Sequence, residues 1–294
     1  MGINKKLRYS IETILVKFLY ALFQLLPISM ASNLGGFIAE KFGSALNRSD
    51  VARHNIRRAM PELDDSQIEN IVSKMWNNLG RTFAEFPHIA RMNSENIKSI
   101  ATLEGAENIV EASRVDKGGI YFTGHLANWE IGPRLFSDLG YPVSIVYRKG
   151  NNPGLGNIIR ELRNNYLVSS IPKGQPGSRE IIQLLKQGKR IGMLVDQKMN
   201  DGISSSFFGI DAMTAPAIAR LALKYHCPIL PVRVIRIANC KFKVIVSPPL
   251  KINITGDIEK DVQIIIDKIN NIVECWIREY PGQWIWLHNR WPKI

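Results

Sequence analysis

Cysteine is scarce in this 294-residue chain: Cys227, Cys240 and Cys275 are odd in number, lie far apart and form no Cys-x-x-Cys. That pattern argues against a disulfide framework or a structural zinc site and suits a reducing compartment. The chain also lacks a phosphate-binding Gly-x-x-x-x-Gly-Lys loop and a Gly-x-Gly-x-x-Gly turn, so nucleotide and dinucleotide binding have no motif to rest on. No Gly-x-Ser-x-Gly elbow is present, which leaves a covalent acyl-serine intermediate poorly supported. Repeats and low-complexity tracts are missing too. Acidic side chains are in deficit, 26 against 38 Lys and Arg, for a formal charge of +12. Such an excess favours an acidic partner: nucleic acid, anionic headgroups or an acidic protein. Nucleic acid is not expected, because the basic residues are scattered among apolar segments with no helix-turn-helix, zinc-finger or RNP signature to aim them at bases.

What is present begins with an amphipathic helix. After Lys5, Lys6 and Arg8, the residues Ile11, Ile14, Leu15, Phe18, Leu19, Leu22, Leu25 and Leu26 form a wide apolar face, and Ser10, Thr13, Lys17, Tyr20 and Gln24 recur opposite it. The apolar stretch from Phe18 to Ala31 holds Pro27 and is shorter than the ~20 residues of a bilayer span. An interfacial anchor over residues 1–31 is the expectation. A structural helix on the domain's own core and a cleaved signal peptide are its alternatives. Residues 32–294 are expected to form one α/β domain whose first part, to about residue 100, is helical. That part includes a basic helix, Asp50 to Met60, stopped by Pro61, and a longer one from Ser66 to Phe86.

Past Leu103 the pattern becomes an alternation of strands and helices, which indicates a mixed, mostly parallel sheet flanked by helices. The strands expected to matter are Gly119–Thr123, Pro142–Tyr147 and Arg190–Val195. Residues 198–213 read as a loop, with Thr214 capping a helix that has Pro216 early in it. A hairpin through Asn239-Cys240 and a long helix from Ile258 to Glu279 close the domain. The aromatic tail, Trp284 to Trp291, suits either a membrane interface or packing back on the core.

Polar residues gather at three strand ends: His125 with Glu130, Arg148 with Asn151 and Asn152, and Asp196 with Gln197. In open α/β sheets, ligands bind at the carboxyl ends of the strands. The spacing His-x-x-x-x-Glu would put the two side chains about 140° apart on a continuous helix, so they meet only across a turn. With that turn, the carboxylate fixes the imidazole tautomer and leaves the other nitrogen to take a proton from a hydroxyl. The pair supplies too few ligands for a metal unless Asp196 joins it.

Taken together and in order, Gly124-His125-Leu126-Ala127-Asn128-Trp129-Glu130, Tyr147-Arg148-Lys149-Gly150-Asn151-Asn152-Pro153, Val195-Asp196-Gln197, Phe207-Phe208-Gly209 with Thr214, Pro228-Ile229-Leu230-Pro231-Val232 and the ending Glu279 to His288 resemble the lipid A late acyltransferases of bacteria. Arg53 to Glu62 resembles the first half of that family. The resemblance implies a glycerol-phosphate acyltransferase-like fold and transfer of a fatty acyl group from acyl carrier protein to a hydroxyl of a lipid A precursor. It implies His125 as general base, oriented by Glu130, with substrate contacts from Asn128, Arg148, Asn151, Asp196 and Gln197. Arg148 would touch the acceptor phosphate or the site carboxylates, or else pair with a neighbouring helix. No metal or organic cofactor is implied, because a thioester carries its own activation. The implied place is the bacterial inner membrane, with the active site on the cytoplasmic face. Other readings are transfer to a different glycolipid or a lysophospholipid, and a non-catalytic membrane or carrier-binding protein. The lysophospholipid reading is disfavoured because Val195-Asp196-Gln197 stands where a Phe-Pro-Glu-Gly-Thr block is expected.

Overall fold

The computed structural model describes residues 3–113 and 118–292. Strands β1 (Ala101–Glu104), β2 (Gly119–Thr123), β3 (Val143–Tyr147), β4 (Ser170–Pro172), β5 (Arg190–Leu194), β6 (Ile203–Phe207), β7 (Ile210–Thr214), β8 (Ile229–Ala238) and β9 (Lys241–Val246) divide into two sheets. Seven form the central sheet, in the order β1-β9-β8-β2-β5-β3-β4. Its neighbours run parallel except β8 and β9, which are joined antiparallel through Asn239. Burial on both faces explains why β2 is a continuous apolar run rather than an alternating one.

Helices α1 (Ile3–Leu25), α2 (Ile28–Gly43), α3 (Arg48–Ala59), α4 (Asp65–Ile89), α5 (Ser94–Ile100), α6 (Ala106–Ser113), α7 (Ile131–Asp138), α8 (Pro153–Arg163), α9 (Gln175–Lys186), α10 (Ala217–Tyr225) and α11 (Ile258–Glu279) surround it. One apolar core joins α3, the first half of α4, α10, α11 and the tail tryptophans to one face of the sheet. A second core joins α5, α6 and α7 to the other. The mixed α/β expectation therefore holds.

Pro133 falls in the first turn of α7, where its missing N–H costs nothing, and the helix runs on to Asp138. Three local expectations are corrected. Residues 203–214 are not loop but the antiparallel pair β6–β7, turned by Phe208 (φ 57°) and Gly209 (φ 69°). Two positive φ values in succession are what a two-residue hairpin of this twist requires. Thr214 does not cap a helix. It ends β7, where its hydroxyl accepts hydrogen bonds from Arg290 (2.7 Å) and Asn270 (3.2 Å). Finally, a boundary after residue 31 would cut through α2, which packs with α1 against α4.

The α2–α4 crossing is close enough to need glycine on both sides. A Cβ on Gly80 would lie 2.2 Å from the Gly35 carbonyl oxygen, inside any permitted contact. The face α1 turns inward is not its apolar one. Tyr9, Glu12, Thr13, Val16, Tyr20 and Phe23 face the protein, while Leu7, Ile11, Ile14, Leu15, Phe18, Leu22 and Leu25 stand exposed. On α2, Met30, Leu34, Phe37, Ile38 and Phe42 are exposed as well. No helix among the described residues is long and apolar enough to cross a membrane. Two arginines of α3 are in ion pairs: Arg53 with Asp50 and Glu69, and Arg57 with Asp65.

Candidate active site

The chain leaves β2 at Thr123 and reaches α7 through a turn centred on Ala127, whose φ of 48° is left-handed. A β-carbon makes that conformation unfavourable, so neighbours have to hold it. The Ala127 carbonyl accepts from Asn78 Nδ2 and Thr82 Oγ1, both at 3.0 Å and both on α4, and its N–H donates to the Gln283 carbonyl at 2.9 Å. Asn128 is fully buried and braces the same turn, donating to Glu85 Oε2 (2.8 Å) and accepting from the Glu130 N–H (3.2 Å). Glu85 in turn pairs with Arg236 of β8 and accepts from Ser32 of α2. Asn128 is thus turned into the packing and off the cavity, and the substrate contact expected of it is withdrawn.

The turn needed between His125 and Glu130 is present, but it sends the two side chains to different partners. His125 Nδ1 lies 2.8 Å from Asp196 Oδ1, and the His125 N–H donates to Asp196 Oδ2 at 2.8 Å. Trp284 Nε1 donates to the same Oδ2 at 2.7 Å. Asp196 is buried at the end of β5, which lies beside β2 in the sheet. Burial works to raise its carboxyl pKa, but the His125 charge and the three hydrogen bonds outweigh it and hold the group well below its usual value. An ionised carboxylate only accepts, so in the neutral imidazole the ring proton sits on Nδ1 and Nε2 presents a bare lone pair. Asp196, expected to touch substrate, instead fixes the tautomer of the histidine.

Glu130 is engaged elsewhere. Arg163, at the end of α8, grips both of its oxygens, with Nε at 3.1 Å from Oε2 and the other nitrogen on Oε1, and Tyr166 Oη donates to Oε2 at 2.6 Å. Burial pushes this carboxyl upward too, yet the Arg163 charge and these hydrogen bonds bring it below its ordinary value. Neither ring nitrogen of His125 is bonded to Glu130, so the expected orienting role passes to Asp196. Glu130 clamps α8 to the active-site turn.

His125 opens on a cavity of about 960 Å³ bounded by the ends of β3 and β5, by α8, α9 and α10, and by Arg8, Tyr9 and Glu12 of α1. Arg148, Asn151, Asn152 and Gln197 line it, and Asn152 is also the buried N-cap of α8. Its Nδ2 donates to the Tyr9 carbonyl (3.0 Å) and to Glu12 (2.9 Å), and its Oδ1 accepts from Thr13 (3.3 Å), so α1 is latched onto the cavity wall. The lining mixes apolar Val146, Leu155, Ile181 and Leu221 with basic Arg148, Lys173, Lys198 and Lys224. Partial burial and the nearby Arg148 charge hold the Lys173 ammonium below its normal pKa. A second, almost wholly apolar pocket of about 50 Å³ lies behind Trp129 and Met193 among Phe122, Phe136, Val143, Ile145 and Val232.

Four contributors had no local signature. Arg163, Tyr166, Trp284 and His288 reach the site from α8, from the segment after it and from the tail. The aromatic tail was visible in sequence, and the structure packs it inward: Trp284, Trp286 and Trp291 are buried with Phe207 and Phe208.

A histidine held in one tautomer by a buried aspartate, with its free nitrogen facing an apolar and cationic cavity at the carboxyl end of a parallel sheet, is the equipment of a general-base enzyme. The chain belongs to the bacterial lipid A biosynthesis acyltransferases, whose family model matches residues 2–293, and it is an acyltransferase. It is similar to a lipid A biosynthesis palmitoleoyltransferase of Escherichia coli K12, 22% identical over 247 residues, covering 83% of this chain and 78% of that protein. A lipid A biosynthesis acyltransferase of Haemophilus influenzae is 20% identical over 276 residues, 92% of this chain and 84% of that one. Among solved structures, the 1-acyl-sn-glycerophosphate acyltransferase PlsC of Thermotoga maritima aligns with 90% of this chain and 98% of its own at 16% identity, with a TM-score of 0.38.

Proposed function

We propose that the protein moves a fatty acyl chain from acyl carrier protein to a hydroxyl of a lipid A precursor, with His125 as the general base and Asp196 as the group that orients it. The observation that carries the reading is the His125–Asp196 pair at 2.8 Å with Nε2 turned to the cavity. An alcohol must lose its proton as it attacks, and a neutral imidazole locked by an aspartate supplies the acceptor while the aspartate stabilises the imidazolium that forms. Collapse of the tetrahedral intermediate expels the carrier thiolate, which takes that proton back.

The cationic side chains around the cavity, Arg148 and Lys173 among them, suit a phosphorylated acceptor, and the +12 charge suits an acidic carrier. The small apolar pocket behind Trp129 suits the far end of the acyl chain. The bare apolar faces of α1 and α2 suit shallow insertion into the cytoplasmic leaflet of the inner membrane, because exposed apolar surface of this extent marks an interaction site. The test is an assay of purified protein with labelled acyl carrier protein and lipid A precursor. Wild type yields acylated lipid, and His125→Ala yields none while keeping its circular dichroism. Transfer by His125→Ala at the wild-type rate would overturn the mechanism, and free fatty acid formed without acceptor would mean a hydrolase.

A further inference from the structure

Three donors beside the His125 turn are spoken for. The His125 N–H and the Trp284 indole both go to Asp196, and Asn128 Nδ2 goes to Glu85. Gln197, the residue after Asp196, is different. Its amide nitrogen lies 3.0 Å from His288 Nε2 and 3.4 Å from His125 Nε2. Which end of an amide faces a ring nitrogen is settled by chemistry. His125 Nε2 is a bare lone pair, because the ring proton is on Nδ1, and a carbonyl oxygen there would be repelled. The NH₂ group must face it, with one hydrogen directed to each ring. His288 then accepts through Nε2. Burial, with the Arg48 charge beside it and against the pull of Asp196, lowers the His288 pKa, which favours that neutral, accepting form. His288 is itself held through its backbone, since its carbonyl accepts from Asn55 Nδ2 of α3 at 2.6 Å.

The contact to His288 has normal hydrogen-bond length, whereas the one to His125 is long. One amide hydrogen is therefore anchored and the other is presented, weakly engaged, beside the nitrogen that receives the acceptor's proton. An acceptor oxygen bonded to Nε2 lies about 3 Å from it, and the carbonyl carbon it attacks lies about 3–3.5 Å further on. The carbonyl oxygen is thereby brought into reach of the presented hydrogen.

We propose that Gln197 is the side-chain donor to the oxyanion, and that His288 is the positioning residue that aims it. The inference rests on the acyl transfer proposed above. As the acceptor oxygen bonds to the thioester carbon, its proton passes to His125 Nε2 and the carbonyl π pair moves onto oxygen, where the Gln197 N–H meets it. When that pair returns, the C–S bond breaks and the thiolate leaves with the proton from His125. An amide in this place adds no charge in the ground state and strengthens its bond as the oxygen becomes negative, the differential binding that lowers a barrier.

The experiment measures kcat and the acceptor KM for wild type, Gln197→Ala, Gln197→Glu, His288→Gln and His288→Lys, with His125→Ala as the blank. Gln197→Ala is expected to lose roughly 10²–10³-fold in kcat with little change in KM, the usual cost of one oxyanion donor. Gln197→Glu, which removes the donor and adds a negative charge, falls at least as far. At position 288 a glutamine still accepts and a lysine only donates, so His288→Gln retains roughly ten times the kcat of His288→Lys. A purely structural role would not separate those two. A Gln197→Ala enzyme within about threefold of wild-type kcat, a rise in KM alone, or equal rates for glutamine and lysine at 288 would each overturn the assignment. If Gln197→Ala fails to fold by circular dichroism, the pair at position 288 decides alone. A wild-type protein that forms no acylated lipid overturns the proposed function and this assignment with it. An active wild type and a dead His125→Ala beside an unaffected Gln197→Ala overturn this assignment only.

Discussion

Two buried carboxylates flank the same turn, one beside it in the chain and one across from it at the end of β5, and they do opposite jobs. Asp196 accepts from a ring, a backbone N–H and an indole, and its ionised form decides which nitrogen of His125 is free. Glu130 accepts from Arg163 and Tyr166, and its ionised form decides where α8 lies. Both are held below the ordinary carboxylate range, so depressed acidity by itself does not identify the catalytic one. What separates them is the partner. A group bonded to a ring that faces the cavity governs a proton, and a group bonded to an arginine on a packed helix governs architecture.

The sharpest break of that contrast is Asp196→Asn, which keeps the shape and removes the charge. The expected loss in kcat is roughly 10⁴-fold, from a histidine no longer held in the right tautomer, with a modest change in thermal midpoint. Transfer assay and thermal melt read the two effects separately, and a variant that transfers normally would return the orienting role to some other group. Next, Glu130→Ala leaves Arg163 buried without its partner and is expected to cost about 3–5 kcal/mol of stability in urea unfolding. Unchanged stability would mean that Glu130 is not the clamp. Gly80→Ala asks how far the contrast depends on α4, which braces the turn through Asn78 and Thr82. Forcing a Cβ against the Gly35 carbonyl should cost roughly 1–3 kcal/mol in the same unfolding measurement.

Acid supplies a milder test. Because the folded-state pKa values of Asp196 and Glu130 are depressed, the stability their charges contribute is complete above the ordinary carboxylate range near pH ~4 and is lost as pH falls through the lower folded values. Urea midpoints followed downward from that range should fall more gently in Asp196→Asn than in wild type. The smallest effect on stability is expected from Phe18→Glu on the bare face of α1, within about 0.5 kcal/mol. That variant should nevertheless sediment less with anionic vesicles, and equal sedimentation would remove the membrane role of this face.

Much of this arrangement was legible because it is local. The run from Gly119 to Thr123 announced a buried strand, Asn239 a tight connection and the periodicity from Ile258 to Glu279 a long helix. The Gly124–Glu130 motif also announced the turn between His125 and Glu130. It could not say which acid faces the imidazole, because that depends on a left-handed Ala127 held by Asn78, Thr82 and Gln283, residues far away in the chain. The same limit hid Arg163 and His288. Residues 203–214 misled for another reason. Their serines look like loop, yet Ser205 is buried and bonds Asp267 and Asn270 of α11. The apolar stripe of α1 was read correctly as a stripe, but its direction is set by what Thr13 and Glu12 bond, which only the folded chain reveals.

That direction has a practical corollary. The helix whose inner side walls the reaction chamber is the one whose outer side has none of the described residues against it, and Asn152 ties that inner side to the chamber wall. Under the membrane contact proposed for this face, whatever amphiphile coats α1 presses, one helix diameter away, on the compartment where the acceptor must fit. The choice of detergent would then be a kinetic variable, and rates taken in micelles of different chain length should not be pooled.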